Sequence, residues 1–339
     1  LVIMETLSDF GAVEHFAVQT FTTGIFRTWF GMYDLNTAMQ LSSILLIFVT
    51  FFIFLERYER NKMSYSYSGS TFKKTKQIRL KGLKNVFAFL FCLIPLLIGF
   101  ILPVIELTNW ALFFPSENFF SKSILSSFIN TIFLGIIAAI FCTLFAFYIN
   151  FLKRFDNSYF LKSSSQFLSL GYAVPGLVLA VGINEFFAFL DNNFFKYFLN
   201  ILLLGSVFGL ILAYIIKSYA LANNTIESGF NRLTNSIDDI SLTLSKSKSE
   251  IFFKVHIPLM KTSILTSLIL VISEVIKELP ATLVLRPFNF DTLAVTTYVY
   301  AAEERMYEAA SPAMMIVLIG LVPIFFLSRI IRDSRPGMK

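Results

Sequence analysis

The run Thr131-Ile132-Phe133-Leu134-Gly135-Ile136-Ile137-Ala138-Ala139-Ile140-Phe141-Cys142-Thr143-Leu144-Phe145-Ala146-Phe147 carries no charge, and the uncharged stretch around it extends over 124–151. A helix rises 1.5 Å per residue, so about 20 such residues cross a hydrocarbon core roughly 30 Å thick. Working outward, six further stretches meet that requirement: 36–55, 85–105, 164–190, 197–217, 262–285 and 309–328. Residues 1–13 read as the end of an eighth span, and the chain opens at Leu1 in mid-pattern, as expected of a protein truncated at its N-terminus. Composition agrees. Of 339 residues, 56% are hydrophobic, 41 are Phe and only 15% are charged, against about 25% charged in soluble domains. That much apolar surface needs lipid as its solvent. The expected fold is all-α, a polytopic transmembrane helical bundle. Cys92 and Cys142 both fall in apolar runs, which excludes a disulfide framework and gives neither the neighbours of a metal site.

Charge sets the orientation. Twenty-two of the 28 Lys and Arg residues fall in four segments, 56–84, 152–162, 217–261 and the tail after 328. Lys217, at the edge of the third, is counted there. The alternate segments hold only Arg27, Lys122, Lys196, Arg286 and Arg305. The positive-inside rule puts the first group, with the C-terminus, in the cytoplasm, and 286–308 outside. The net charge of +6 follows from this bias and calls for no nucleic acid. Segment 56–84, rich in Ser, Lys and Tyr, reads as a cytoplasmic linker between two bundles.

The start of the chain lies over a later segment without a gap. Met4-Glu5-Thr6-Leu7-Ser8-Asp9-Phe10-Gly11-Ala12-Val13 aligns with Ser273-Glu274-Val275-Ile276-Lys277-Glu278-Leu279-Pro280-Ala281-Thr282, and Thr23 then falls on Thr292. Each copy is followed by one last span and a basic tail. This predicts a parallel internal repeat of two halves around a shared path. Residues 1–55 are then the end of the first half, with its last two spans, and 85–339 are the six-span second half.

Segment 226–261 is a long cytoplasmic stretch. Ser236-Ile237-Asp238-Asp239 has the form of a capping box that starts a helix. Ile240, Leu242, Leu244 and Ser245 follow, then Glu250-Ile251-Phe252-Phe253-Lys254-Val255-His256-Ile257-Pro258. The spacing resembles the cytoplasmic loop of ABC-importer permeases, Glu-Ala-Ala, three residues, Gly, about a dozen residues, Leu-Pro. Asp239-Ile240-Ser241 stand at the first element, Ser245 at the Gly, and Ile257-Pro258 at the end. The letters depart at almost every position, most seriously Gly to Ser. Tyr172-Ala173-Val174-Pro175-Gly176, Lys277-Glu278-Leu279-Pro280-Ala281-Thr282-Leu283, Arg286-Pro287-Phe288 and Phe290-Asp291-Thr292-Leu293-Ala294 are similar to ferric-iron ABC permeases, as are Met4-Glu5-Thr6-Leu7 and Phe21-Thr22-Thr23-Gly24-Ile25.

The resemblance implies a fused permease in the bacterial inner membrane. A periplasmic binding protein would deliver ferric iron to it, and two copies of a separate ATP-binding subunit would drive it. That subunit would dock at Asp239, Ile240, Ser241, Ser245, Phe252, Val255, Ile257 and Pro258. Permeases for thiamine, phosphonate, sulfate and polyamines share much of the pattern. No Gly-x-x-x-x-Gly-Lys-Ser/Thr loop is present. The chain is therefore expected to be a transport subunit without a cofactor and not an enzyme.

Glu274, Lys277 and Glu278 fall within span 262–285, where ionisable groups are costly unless paired or facing a cavity. Glu274 and Glu278, four apart, share a helix face, and Glu5 and Asp9 repeat the spacing. Two readings stand. The four carboxylates line a path for a hard cation, or Lys277 neutralises Glu274 or Glu278 and the group locks helices. Gly11 and Pro280, at matching places, would interrupt both helices and form a gate. The two histidines, His15 and His256, fall on opposite sides, each read as a surface or loop residue. A secondary transporter would share the membrane charges but needs no docking loop. A membrane enzyme would need polar residues clustered at one face, which are not found.

Overall fold

The computed structural model describes residues 2–62, 80–113, 121–156, 158–195, 202–244 and 247–333. Among them every regular element is a helix. Most of the linker 56–84 and the docking residue Ser245 lie outside the described residues.

Among the described residues six helices are long and apolar enough to cross a membrane: Leu35–Glu56, Leu83–Phe113, Lys122–Phe155, Val207–Phe230, Lys248–Ile276 and Met306–Arg329. Two expected spans fail as straight rods. Stretch 164–190 is a pair, Tyr159–Ala173 and Gly176–Asn193, bent by 113°. The cause is Pro175, which holds Val174 in extended backbone and ends the 3₁₀ turn Ser169–Ala173. Stretch 262–285 stops at Ile276, and a separate helix runs Pro280–Leu285. Pro280 has no N–H to bond the carbonyl four residues back, so the helix cannot continue.

Two boundaries move into the expected loop. Span 197–217 is instead Val207–Phe230, and the last long helix before the break begins at Lys248. The loop 226–261 thus shrinks to a short helix, Asn235–Leu244, with its flanks. That helix begins one residue before Ser236, so Ser236 and Asp239 do not form its cap. Pro258 is accommodated inside a continuous helix by the π-turn Phe252–His256, which absorbs the missing N–H.

The core is the packing of Lys122–Phe155 against Val207–Phe230 and Ile257–Ile276. Ala138, Ala139, Ala146, Ala213 and Ala222 are buried there, small residues that let backbones approach where lipid gives no hydrophobic drive. The approach is closest at Gly171, where a Cβ would stand 2.3 Å from the Ile216 carbonyl oxygen. Interhelical hydrogen bonds add specificity: Thr143 Oγ1 to Ser267 Oγ at 2.9 Å, Asn150 Nδ2 to Asn223 Oδ1 at 2.8 Å, and Ser127 Oγ to Thr296 Oγ1 at 2.8 Å. A second cluster joins Phe10, Ile25, Leu45 and Val49 of the first 50 residues to Leu177, Val178 and Val181. Leu83–Phe113 keeps Phe87, Phe89 and Phe91 exposed, as suits a helix solvated by lipid.

Candidate functional site

The two helix breaks meet. Val2–Ser8 ends just before Gly11–His15, and Ile257–Ile276 just before Pro280–Leu285. Between them is a cavity of about 470 Å³ lined by Glu5, Asp9, Gly11, Glu274, Lys277, Glu278 and Pro280, together with Tyr172, Lys217 and Leu279. The structure brings all seven path or gate candidates to one cavity. It also brings Tyr172, Lys217 and Leu279 there, none of which was expected at the path.

Of the two expected partners, Lys277 meets Glu274 and not Glu278. Lys277 Nζ lies 3.1 Å from Glu274 Oε2 but is largely exposed. Glu278 is paired with Lys217, Nζ to Oε2 at 2.5 Å, and both side chains are about nine-tenths buried. Lys217 is therefore no cytoplasmic loop residue; it sits in the middle of Val207–Phe230. Its position at the end of the expected span 197–217 hid it among the basic loop residues. Gly176 makes room for the carboxylate: a Cβ there would fall 2.6 Å from Glu278 Oε1 and 3.3 Å from Pro280 Cβ. The Pro175-Gly176 step thus breaks one helix and clears space at the break of another. On the opposite wall Tyr172 donates its hydroxyl to Glu5 Oε1 at 2.9 Å. The Asp9 carbonyl accepts from Thr22 Oγ1 at 2.7 Å. Four carboxylates face two ammonium groups, so the lining is acidic on balance. Among the described residues no three His, Cys, Asp or Glu side chains converge to hold a metal ion.

A second cavity, of about 670 Å³, holds Glu14, His15, Trp110 and Tyr298 and also touches Gly11 and Leu279. The two cavities meet at these residues. A Cβ on Gly11 would stand 3.1 Å from Leu279 Cδ2. Beyond the second break, Arg286 and Asp291 form an ion pair across the loop 286–292. Burial holds the Arg286 pKa below the usual guanidinium value. Phe288, at the tip, is 94% exposed.

The docking candidates divide. Ile240 (58% exposed), Leu242 and Leu244 stand free on Asn235–Leu244, beside the exposed Asp239. Phe252, Val255 and Ile257 instead pack on the core, because they belong to the helix that continues into the bundle. The rings of Phe252 and Phe147 lie 5.0 Å apart. Pro258 is exposed and Ser241 is buried. His256 is not a surface residue: it is fully buried between Phe151, Phe155 and Phe230. Asp238, one residue before the expected contact, points inward.

A multi-span helical bundle with a polar cavity at two facing helix breaks is the architecture of an integral membrane transport protein. The family model for the binding-protein-dependent transport system inner membrane component matches residues 157–335. The chain belongs to that family. It is 27% identical over 336 residues to the Fe(3+)-transport system permease protein FbpB 2 of Haemophilus influenzae, covering 97% of this chain and 64% of that protein. It is 24% identical to the ferric transport system permease protein FbpB of Actinobacillus pleuropneumoniae, covering 99% of this chain and 50% of the relative. The molybdate/tungstate transport system permease protein WtpB of Methanocaldococcus jannaschii is 25% identical over 204 residues, 60% of this chain and 78% of its own. The chain thus spans half to under two thirds of the ferric relatives' length. Among solved structures, a chain of a bacterial alginate ABC transporter, in complex with alginate pentasaccharide-bound periplasmic protein, shares the fold. Its TM-score is 0.55 at 14% identity, covering 72% of this chain and 92% of that one.

Proposed function

We propose that this chain forms the transmembrane path of an ATP-driven importer whose cargo is ferric iron. The observation that carries the reading is the acidic cavity at the two facing breaks. Hard carboxylate oxygens suit a hard trivalent cation. With no convergent ligand set among the described residues, the lining attracts the ion without trapping it, as passage requires. The names of the ferric relatives point the same way. A periplasmic binding protein supplies the cargo from outside. Leu279 against Gly11 is the gate between the two cavities. Of the two copies of an ATP-hydrolysing subunit, one docks beneath Asn235–Leu244, where Ile240, Leu242 and Leu244 offer apolar side chains on the basic, cytoplasmic side. The internal repeat belongs to the same reading. Both breaks are followed by a short helix, a helix capped by Thr20 or Thr292, and a long last helix, with the first cap three residues before Thr23, the residue that aligns with Thr292.

The test is uptake of radiolabelled ferric iron and molybdate by cells carrying the transporter with its partner subunits. Glu5→Gln and Glu274→Gln are expected to lower iron uptake severalfold while membrane abundance holds. Molybdate uptake in place of iron, or full iron uptake by the doubly neutralised protein, would refute the assignment.

A further inference from the structure

The side-chain polar contacts that tie Asn235–Leu244 to the bundle run through Asp238. Arg154 lies one residue from the end of Lys122–Phe155 and spends its whole guanidinium there. Nη1 donates to the Phe230 carbonyl at 2.8 Å, and Nη2 to those of Leu233 at 2.8 Å and Thr234 at 3.1 Å. These carbonyls are at the C-terminal end of Val207–Phe230 and the turn after it, where a cation is favourable. Nε bonds Asp238, on the first turn of Asn235–Leu244. The other Asp238 oxygen lies 3.1 Å from Nε2 of the buried His256. His256 belongs to the π-turn of Lys248–Ile276, and its ring centroid is 5.4 Å from each of Phe151 and Phe230. Three membrane helices and the short helix therefore converge on one carboxylate. Among the described side chains of 236–244, no other hydrogen bond or ion pair joins the helix to the bundle. Ser241 and Thr243 bond within their own helix. The opposite face, with Ile240 and Leu244, is free.

We infer that Arg154 and Asp238 are the positioning residues that make Asn235–Leu244 move as one body with the three core helices. The work done by the ATP-hydrolysing subunit then reaches the helix breaks through this joint rather than through the docking contact itself. The transmission part of this inference rests on the importer reading above; the anchoring part does not. A half-exposed apolar helix tied by one buried ion pair swings free when that pair is lost, since breaking it leaves an uncompensated charge.

Two measurements separate the parts. The first is hydrogen exchange of the permease in detergent. In Arg154→Met and in Asp238→Asn, which keeps the shape, amides of 235–244 are expected to exchange at least about tenfold faster while those of 207–230 keep their wild-type rate. Unchanged exchange at 235–244, or loss of protection throughout the bundle in both variants, would overturn the anchor. The second measures iron taken up per ATP hydrolysed by the complete transporter in proteoliposomes. The variants are expected to retain the ATP-hydrolysing subunit at the wild-type ratio and to transport about tenfold less per ATP. Retained coupling, or loss of the subunit from the complex, would show that the joint does not transmit. A wild-type transporter without ATP-dependent uptake would instead sink the importer reading and leave the exchange result standing.

Discussion

Replacing Lys217 with Met tests which lysine neutralises the buried carboxylate. Glu278 is 6% exposed, and its Lys217 partner is 11% exposed at the side chain, so solvent screens the pair little. Removing one partner of such a pair costs about 3–5 kcal/mol, because the other charge stays buried. The cavity beside it lets water relieve part of that charge, which favours the lower figure. A loss of about 3 kcal/mol is roughly a hundredfold in the equilibrium between assembled and unfolded protein. Lys277 is the control. Its side chain is 57% exposed and its pair with Glu274 is three residues along the chain, so Lys277→Met should cost only about 0.2–0.5 kcal/mol. The assay is the thermal midpoint and membrane abundance of the detergent-purified complex. Lys217→Met is expected to lower both sharply, Lys277→Met barely, and Lys217→Met with Glu278→Gln to recover most of the loss. Equal damage from the two lysine variants, or no recovery in the double variant, would refute the reasoning.

Gly171→Ala pushes a Cβ to 2.3 Å from a backbone oxygen, whereas Gly182 has nothing within 4 Å; expression should collapse for the first and hold for Gly182→Ala. At the proposed gate, Gly11→Val should close the contact with Leu279 and abolish uptake at normal abundance, and Leu279→Ala should permit uptake without ATP. Asp239→Lys is expected to weaken association with the ATP-hydrolysing subunit, measured by co-purification; an unchanged ratio would argue that Asn235–Leu244 is only a connector. With Cys92 replaced by Ser, Phe288→Cys should react with an impermeant reagent in intact spheroplasts, and a Cys at position 68 should not; the reverse would invert the topology. Asp34 accepts from Thr37 Oγ1 at 2.5 Å and from Thr37 N at 3.0 Å, which holds its pKa below the ordinary 3.8, so its contribution to the start of Leu35–Lys62 is present above that pH and lost as the pH falls through the depressed value. Acid unfolding of Asp34→Asn should lack that component.

The long uncharged runs were legible because lipid imposes one requirement on all of them, and 124–151 survives almost unchanged as Lys122–Phe155. Hydropathy could not see the bend at Val174-Pro175, since an apolar stretch reads the same straight or folded back. The same blindness moved Lys217. Ending the span at 217 called for a loop, while the helix continues through the buried Ser218, through Asn223, which bonds Asn150, and through Glu227, which pairs with Lys153. The acidic residues of the cavity were visible as charges out of place in apolar segments. Their partners were not, because pairing across helices depends on which faces meet. Closeness in sequence offered Lys277 to Glu274 or Glu278; it meets Glu274, three residues back, while beyond the break after Ile276 Glu278 turns to Lys217.

The letters of segment 226–261 depart from the family pattern while the spacing fits, and the packing of the segment supplies a reason. Three kinds of position in the segment are constrained: Asp238 and His256, which reach Arg154 and the aromatic core, Ser241, Ile251, Phe252, Val255 and Ile257, which are buried or pack on the bundle, and the free apolar residues Ile240, Leu242 and Leu244. The connection between the two helices must keep its length, so that both sets reach their partners. Spacing is therefore the feature that geometry enforces. A residue deleted between Leu244 and Lys248 should do more harm to coupling than any single substitution there, because it pulls Asp238 away from Arg154 without touching either side chain.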